Sequence, residues 1–213
     1  MGDHPVHAFV RSADYAPLLA ALPQVFPPGE RYAYNNGGYV MLGMIVERLT
    51  GSFHDAVAER VLRPAGMSES GFFRSDDLPP RTALGYLQDG RTNVLHLPVI
   101  GAGDGGIYLT VGDCGRFWEA LRAGSIVDGA TVEAMTTVVT PDAEGGAAYG
   151  RGFWLSPDGD HVWLEGMDAG VSAQTGWIRS SNVTYAVLSN TSSGAWPLAT
   201  TIVAAATRGP QPG

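Results

Sequence analysis

Residues 30–43 read ERYAYNNGGYVMLG, directly after the turn-forming Pro27-Pro28-Gly29. A Tyr-x-Asn triplet, Tyr34, Asn35 and Asn36, stands at the mouth of a segment that is apolar on nearly every side. Val40, Met41, Leu42, Met44, Ile45, Val46 and Leu49 leave only Glu47 and Arg48 clearly polar, so the spacing predicts a buried helix over Gly37 to Thr50. Gly51 is a good residue to stop it, because glycine takes the left-handed backbone of a helix C-terminus without strain. Polar groups at such a mouth either cap the helix or form the acid/base end of an active site. Asn36 alone reads as an N-cap, and Tyr34 alone as a half-buried core tyrosine.

Working outward, a short helix is expected over Tyr15 to Leu22, ended by Pro23. Ser52 with Asp55 suggests a cap for a helix from Phe53 to Leu62, closed by Pro64. Residues 64 to 105 are rich in loop formers. Thr110 with Asp113 is a stronger capping pair, opening a helix over Cys114 to Arg122, and a short helix follows near Thr131 to Thr137. The period then changes. Gly150 to Ser156 and His161 to Glu165 read as strands around Pro157-Asp158-Gly159-Asp160. Val171 to Arg179 and Val183 to Asn190 read as a second hairpin around Ser180-Ser181-Asn182. Trp196 to Arg208 reads as a closing helix, and the tail Gly209 to Gly213 as frayed. Helices, then an antiparallel sheet, then a packing helix make an α+β (α/β) layout. The chain reads as one domain over residues 1–213, helical and loop-rich over about 10–148, with the sheet and closing helix over about 149–208.

With 213 residues and 16% charged, the chain is long and apolar enough to fold around a real core. Its formal net charge of −8 argues against nucleic acid or an anionic membrane surface as partner. The single cysteine, Cys114, excludes an internal disulfide. MGDHPVHAFV lacks a basic region followed by an apolar stretch, so the sequence as it stands reads as cytoplasmic, and export would require an additional N-terminal segment. All 13 basic residues are arginine. A Schiff base, a Walker A lysine and a Ser-x-x-Lys dyad are therefore excluded for these residues alone.

Other motifs are weaker. GAGDGG, Gly101 to Gly106, fits G-x-G-x-x-G, but Ile107 to Thr110 separates it from the next helix, so a glycine-rich loop is favoured over a dinucleotide site and no cofactor is expected. His4, His7, His54, His96 and His161 are scattered without metal-ligand spacing, so no metal is expected. No G-x-S-x-G occurs. Asn182-Val183-Thr184 and Asn190-Thr191-Ser192 fit the glycosylation acceptor pattern and read as chance matches.

The Tyr-x-Asn triplet does not stand alone. PPGERYAYNNGGYVMLGMIVERLTG, VLRPAGMSESGF, AGDGGIYLTVGDCGRFWEALRAG, YGRGFWL, LEGMDAGVSAQTGW and YAVLSN resemble, in order, six blocks of the serine β-lactamases, penicillin-binding DD-peptidases and related esterases. They cover about residues 26 to 203. The resemblance implies a β-lactamase/DD-peptidase-like fold that lacks its N-terminal part. It also implies hydrolysis of an ester or amide through an acyl-serine. Tyr34 would relay protons and Asn36 would hold the substrate amide. The substrate strand would be Leu164, Glu165, Gly166 and Met167, with the Met167 N–H donating to the oxyanion.

The chain departs from the pattern in two ways. Leu164 replaces a cation or imidazole, and Glu165 a hydroxyl. A β-lactam or peptide terminus carries a carboxylate that this strand would repel, so an ester or an amide is the expected substrate. The family's Ser-x-x-Lys segment, which precedes Tyr-x-Asn, has no counterpart here. The first expectation is a chain without its nucleophile, inactive alone and prone to self-association through an exposed sheet edge. The alternatives are a non-catalytic module that binds a ligand or partner in the same cleft, and a chain completed by a separate polypeptide. A local serine such as Ser172 is disfavoured, because no base is placed beside it.

Overall fold

The structure is a computed structural model and describes residues 6–208; His4 and the tail Gly209 to Gly213 lie outside the described residues. Two 3-10 turns, Val6–Ala8 and Ser12–Tyr15, lead into α1 (Ala16–Ala20), shorter than the expected helix. Helices α2 (Asn36–Thr50), α3 (Phe53–Val57, continued by a π-helical turn Ala58–Leu62), α4 (Val111–Arg122) and α5 (Gly129–Met135) follow. The expected capping pairs form: the Asp55 N–H donates to Ser52 Oγ at 3.2 Å, and the Asp113 N–H to Thr110 Oγ1 at 3.1 Å. Gly51 ends α2 at φ 89°.

Two expectations about α2 are corrected. Its N-cap is Asn35, whose Oδ1 accepts the Gly38 N–H at 3.2 Å, and Asn36 is the first helical residue. Asn35 wins because its extended backbone (φ −155°) aims the side chain back at the first turn. The helix is also not buried. Only Val40 and Gly43 are, while Met41, Leu42, Ile45 and Leu49 are 53–79% exposed. α2 packs on α3 and on the Ser12–Tyr15 turn, and these cover one side of it.

The sheet is a six-stranded antiparallel meander in chain order: β1 (Thr140–Glu144), β2 (Ala147–Tyr149), β3 (Trp154–Leu155), β4 (His161–Asp168), β5 (Val171–Ile178) and β6 (Val183–Ser189). The second hairpin forms as expected. β1 and β2 were not expected, since Pro141 and the acidic, glycine-containing run after it are poor strand formers; Pro141 is tolerated because β1 is an edge strand. Helix α6 (Ala195–Thr207) closes the chain.

Side chains alternate across the sheet. On one face Val162, Leu155 and Ala148 form the main core with Trp118 and Leu121 of α4, and Leu164 and Trp177 pack against it. On the other, Tyr185 and Val187 pack under Ala195 and Ala199 of α6. The Trp118 indole N–H donates to Thr175 Oγ1 at 2.8 Å and locks α4 to β5.

Candidate active site

Asn36 opens α2 and Tyr34 stands just before its Asn35 cap, and a glycine-rich loop presses against that helix from the side. A Cβ on Gly103 would lie 2.2 Å from the Tyr39 carbonyl oxygen, so only glycine permits the approach. Ile107 to Thr110 separate the loop from α4, and the loop holds Asp104 half-buried. Burial pushes the Asp104 carboxyl above the ordinary carboxylate range, and the Asp168 charge adds to this against an opposing backbone hydrogen bond. The loop and the end of β4 therefore lie within electrostatic reach of each other. Tyr15 is pushed up to about 12, first by burial and then by Asp104 and Asp14.

Aromatic side chains join the 32–39 stretch to the sheet. Tyr34 lies nearly parallel to Trp154, with centroids 6.3 Å apart; Trp154 is 6.4 Å from Trp163, and Trp163 stacks on His161 at 4.5 Å. Tyr149 meets Trp154 edge-on at 4.8 Å and shares a 2.5 Å hydroxyl–hydroxyl hydrogen bond with Tyr39. Burial raises the Tyr149 hydroxyl pKa strongly, and the Tyr39 bond adds to it. Sequence reasoning missed Tyr39, Tyr149, Trp154 and Trp163 as neighbours of Tyr34. The available signal was the aromatic density of YGRGFW and HVW on adjacent strands.

Leu164 and Glu165 fall on opposite faces of β4. Leu164 is part of the core around Trp118, so the position where the resemblance expects a cation is a packing position. Glu165 is exposed. Its Oε2 accepts the Trp163 indole N–H at 3.0 Å and the Gln174 amide at 2.7 Å. The relay continues: the Tyr185 hydroxyl donates to Gln174 Oε1 at 2.7 Å and lies 3.0 Å from His161 Nε2. Gly176 makes room for it, since a Cβ there would sit 2.7 Å from the Tyr185 ring and 2.9 Å from His161. Burial pulls His161 down to about 4, with Asp160 and Asp158 opposing.

β3 pairs with β4 only at Val162 and Trp163. From Leu164 to Asp168, β4 bonds β5 on one side, and among the described residues no strand lies on its other side. Gly166 and Met167 lie on this open stretch, and Met167 is 65% exposed. Neither Ser172 nor Cys114 is free to act as a nucleophile. Ser172 is buried; its Oγ donates to the Thr191 carbonyl at 2.8 Å and accepts the Ala195 N–H at 3.1 Å, which ties β5 to α6. Cys114 is buried and pushed up to about 11 by that burial, which leaves little thiolate at neutral pH. A surface depression lined by Glu133, Thr136, Asp158, Asp160 and Arg179 contains none of the candidate residues. Among the described residues no cluster of histidine, cysteine or acidic side chains fits a metal ion.

A family model described as Beta-lactamase matches residues 2–207. The chain belongs to the beta-lactamase family. The crystal structure of a penicillin binding protein from Bacillus halodurans is 37% identical and superimposes with a TM-score of 0.91, over 96% of this chain and 66% of that one. Protein Rv1367c of Mycobacterium tuberculosis is 32% identical over 154 residues, 64% of this chain and 38% of that protein. A D-aminopeptidase of Cereibacter sphaeroides is 34% identical over 107 residues, 49% of this chain and 19% of that protein. The chain thus spans less than half the length of either curated relative. Its helices and antiparallel sheet are those of the β-lactamase and penicillin-binding fold.

Proposed function

We propose that this chain supplies the proton-relay and substrate-strand elements of a serine hydrolase that cleaves an ester or amide through an acyl-serine. The Ser-x-x-Lys pair comes from polypeptide outside these 213 residues, and the chain alone does not turn over. The observation that carries this reading is the Tyr34 contact. The first member of the Tyr-x-Asn triplet reaches across to Trp154, beside the strand whose Leu164–Asp168 stretch, on the side away from β5, has no neighbouring strand among the described residues.

A substrate acyl group lies along that edge with its carbonyl oxygen at the Met167 N–H. Gly166 allows close backbone approach, and Asn36 holds the substrate amide. The incoming serine Oγ bonds to the carbonyl carbon and its proton passes to the lysine amine. The bond to the leaving nitrogen or oxygen breaks as Tyr34 relays a proton to it. Water then cleaves the acyl-serine, releasing the acid and restoring the hydroxyl. Glu165, held by Trp163 and Gln174, and the aliphatic Leu164 disfavour a substrate carboxylate at this strand. In isolation the chain self-associates weakly through an exposed edge of its sheet.

The test is labelling of the gene product, purified from its own organism, with a fluorophosphonate. A labelled species heavier than 22.4 kDa supports the reading. In that species Tyr34→Phe should lower kcat about 100-fold or more, with KM changed much less. A labelled 22.4 kDa chain would overturn it. The absence of lysine favours a second reading, a binding module that keeps the cleft. A native 22.4 kDa product that binds an amide without hydrolysing it would select that reading.

A further inference from the structure

Glu165 keeps its charge uncompensated on the candidate strand. Glu47, Asp76, Asp89 and Asp113 each pair with an arginine at 2.6–2.9 Å. Among the described residues no basic side chain stands within ion-pair distance of Glu165. Two neutral donors hold it instead, the Trp163 indole N–H at 3.0 Å and the Gln174 amide at 2.7 Å, and both meet the same oxygen, Oε2. Among the described residues no hydrogen bond falls on Oε1, although a carboxylate has room for about four in all. The Tyr185 hydroxyl donates to Gln174 Oε1 at 2.7 Å and so fixes which end of that amide faces Glu165. The carboxylate is thus oriented from one side and left open on the other.

Its surroundings suit a cation on an alkyl chain. Helix α6 packs on β5 and β6, and Glu165 stays exposed. The row Tyr34, Trp154, Trp163 runs up to it, with centroids 6.3 and 6.4 Å apart and planes 14° and 19° from parallel. The last ring of that row carries the N–H that Glu165 accepts. Aromatic faces beside a fixed carboxylate cover methylenes and attract a positive charge. The net charge of −8 favours a cation over an anion in the same direction.

The backbone register places this carboxylate on the candidate substrate edge. The Asp160 carbonyl accepts the Arg179 N–H on the β5 side, and the His161 carbonyl accepts the Ser156 N–H on the β3 side, both at 2.9 Å. Continued along β4, the alternation turns the backbone groups of Glu165 and Met167 away from β5, toward the open stretch. The two side chains share a face, and their positions lie about 7 Å apart along the strand.

We propose that Glu165 seats a protonated primary amine at the far end of the acyl chain, so that the substrate is an ω-aminoacyl ester or amide. The inference rests on the hydrolase reading for the place of the carbonyl, at the Met167 N–H. The amine must then stand about as far from the carbonyl as Glu165 stands from Met167. A six-carbon ω-amino chain spans that length, and an α-amine falls short of it. The methylenes lie on Trp163 and Trp154, and the ammonium donates to Oε1. Gln174 is a positioning residue that holds the carboxylate toward the edge.

The experiment uses the gene product from its own organism and three p-nitrophenyl esters of matched length: 6-aminohexanoate, heptanoate and the half-ester of adipate. The proposal expects kcat/KM for the amino ester to exceed that for heptanoate about 30-fold or more, with the adipate half-ester below both. In Glu165→Gln the ratio of amino to neutral ester should fall to about 1; taken within one variant, it is insensitive to a general loss of activity. A ratio near 1 in the unaltered product, or a ratio retained in Glu165→Gln, would each overturn the proposal. Turnover of heptanoate with a ratio near 1 leaves the hydrolase reading standing and removes the amine seat. If no ester is turned over, the hydrolase reading falls, and binding of 6-aminohexanamide against heptanamide, followed by tryptophan fluorescence on the same sample, decides the seat. Binding of the amine about ten-fold tighter or more supports it, and equal binding removes it.

Discussion

Helices α2 and α4 run 15 and 12 residues, and α2 is much the more apolar, yet α4 is the buried one. In α4, Asp113, Cys114, Trp118 and Leu121 are all buried. Asp113, with no exposed side-chain surface, accepts from the Glu69 N–H, the Ser70 hydroxyl and Arg116. In α2 four large apolar side chains face outward. The difference lies in what stands opposite. α4 faces a sheet whose inner side chains interlock with it, whereas α2 meets α3, a turn and a glycine loop, and touches the sheet through the Tyr39–Tyr149 hydroxyl pair, which leaves one face of it open. Burial is a property of a pair of surfaces, and apolar composition describes only one of them.

The largest expected effect tests the buried side of this contrast. Trp118→Ala empties the centre of the main core and leaves Thr175 without its donor, and should cost about 4 kcal/mol in a urea titration. A cost below 1 kcal/mol would mean that α4 is no better seated than α2.

A smaller effect concerns pH on the sheet side. His161 is pulled down to about 4 in the folded chain, below its ordinary value of 6.5. Above pH 6.5 it is neutral in both states. As pH falls toward 4, the unfolded chain binds a proton that the folded chain refuses, so stability declines. Discounted for its partial exposure, the loss is roughly 1–2 kcal/mol. His161→Gln should flatten that slope in thermal melts between pH 7 and pH 4.5. An unchanged slope would place the titration elsewhere.

At the mouth of α2, stability and chemistry should separate. Asn35→Ala removes the cap and should cost about 1 kcal/mol. Asn36→Ala should cost under about 0.5 kcal/mol while reducing hydrolysis by the native product. Equal stability losses would make Asn36 a second structural residue. The smallest effect is expected at Leu49→Ala, within about 0.5 kcal/mol in the isolated chain. In the native product a cost of about 2 kcal/mol would show that this outward face of α2 is covered there.

Much of the fold is legible in the residues. The Ser52 and Thr110 caps, the Gly51 stop, the second hairpin and the closing helix follow from local chemistry that acts within a few positions. β1 and β2 escape such reading because their residues are poor strand formers, and the pairing of β2 with β3 and of β1 with β2 overrides that preference. The capping asparagine differs from the expected one by one position, since φ and ψ at Asn35 and Asn36 decide which amide the side chain reaches. At the candidate site, the ordered blocks single out Tyr34, Asn36 and the 164–167 strand as candidates. They do not reveal that Leu164 turns into the core, or that Glu165 is tied to Trp163 and Gln174 on the opposite face.

By itself, then, the sequence determined the family, the succession of helices, antiparallel hairpins and closing helix, and the absence of a lysine, because these reside in residue types and short-range spacing. The tertiary structure alone decided which apolar residues are covered, which face of β4 each side chain takes, and that Tyr34 lies against Trp154, 120 residues further along the chain. Those outcomes depend on contacts between distant segments, and a contact is fixed only when both of its surfaces are in place.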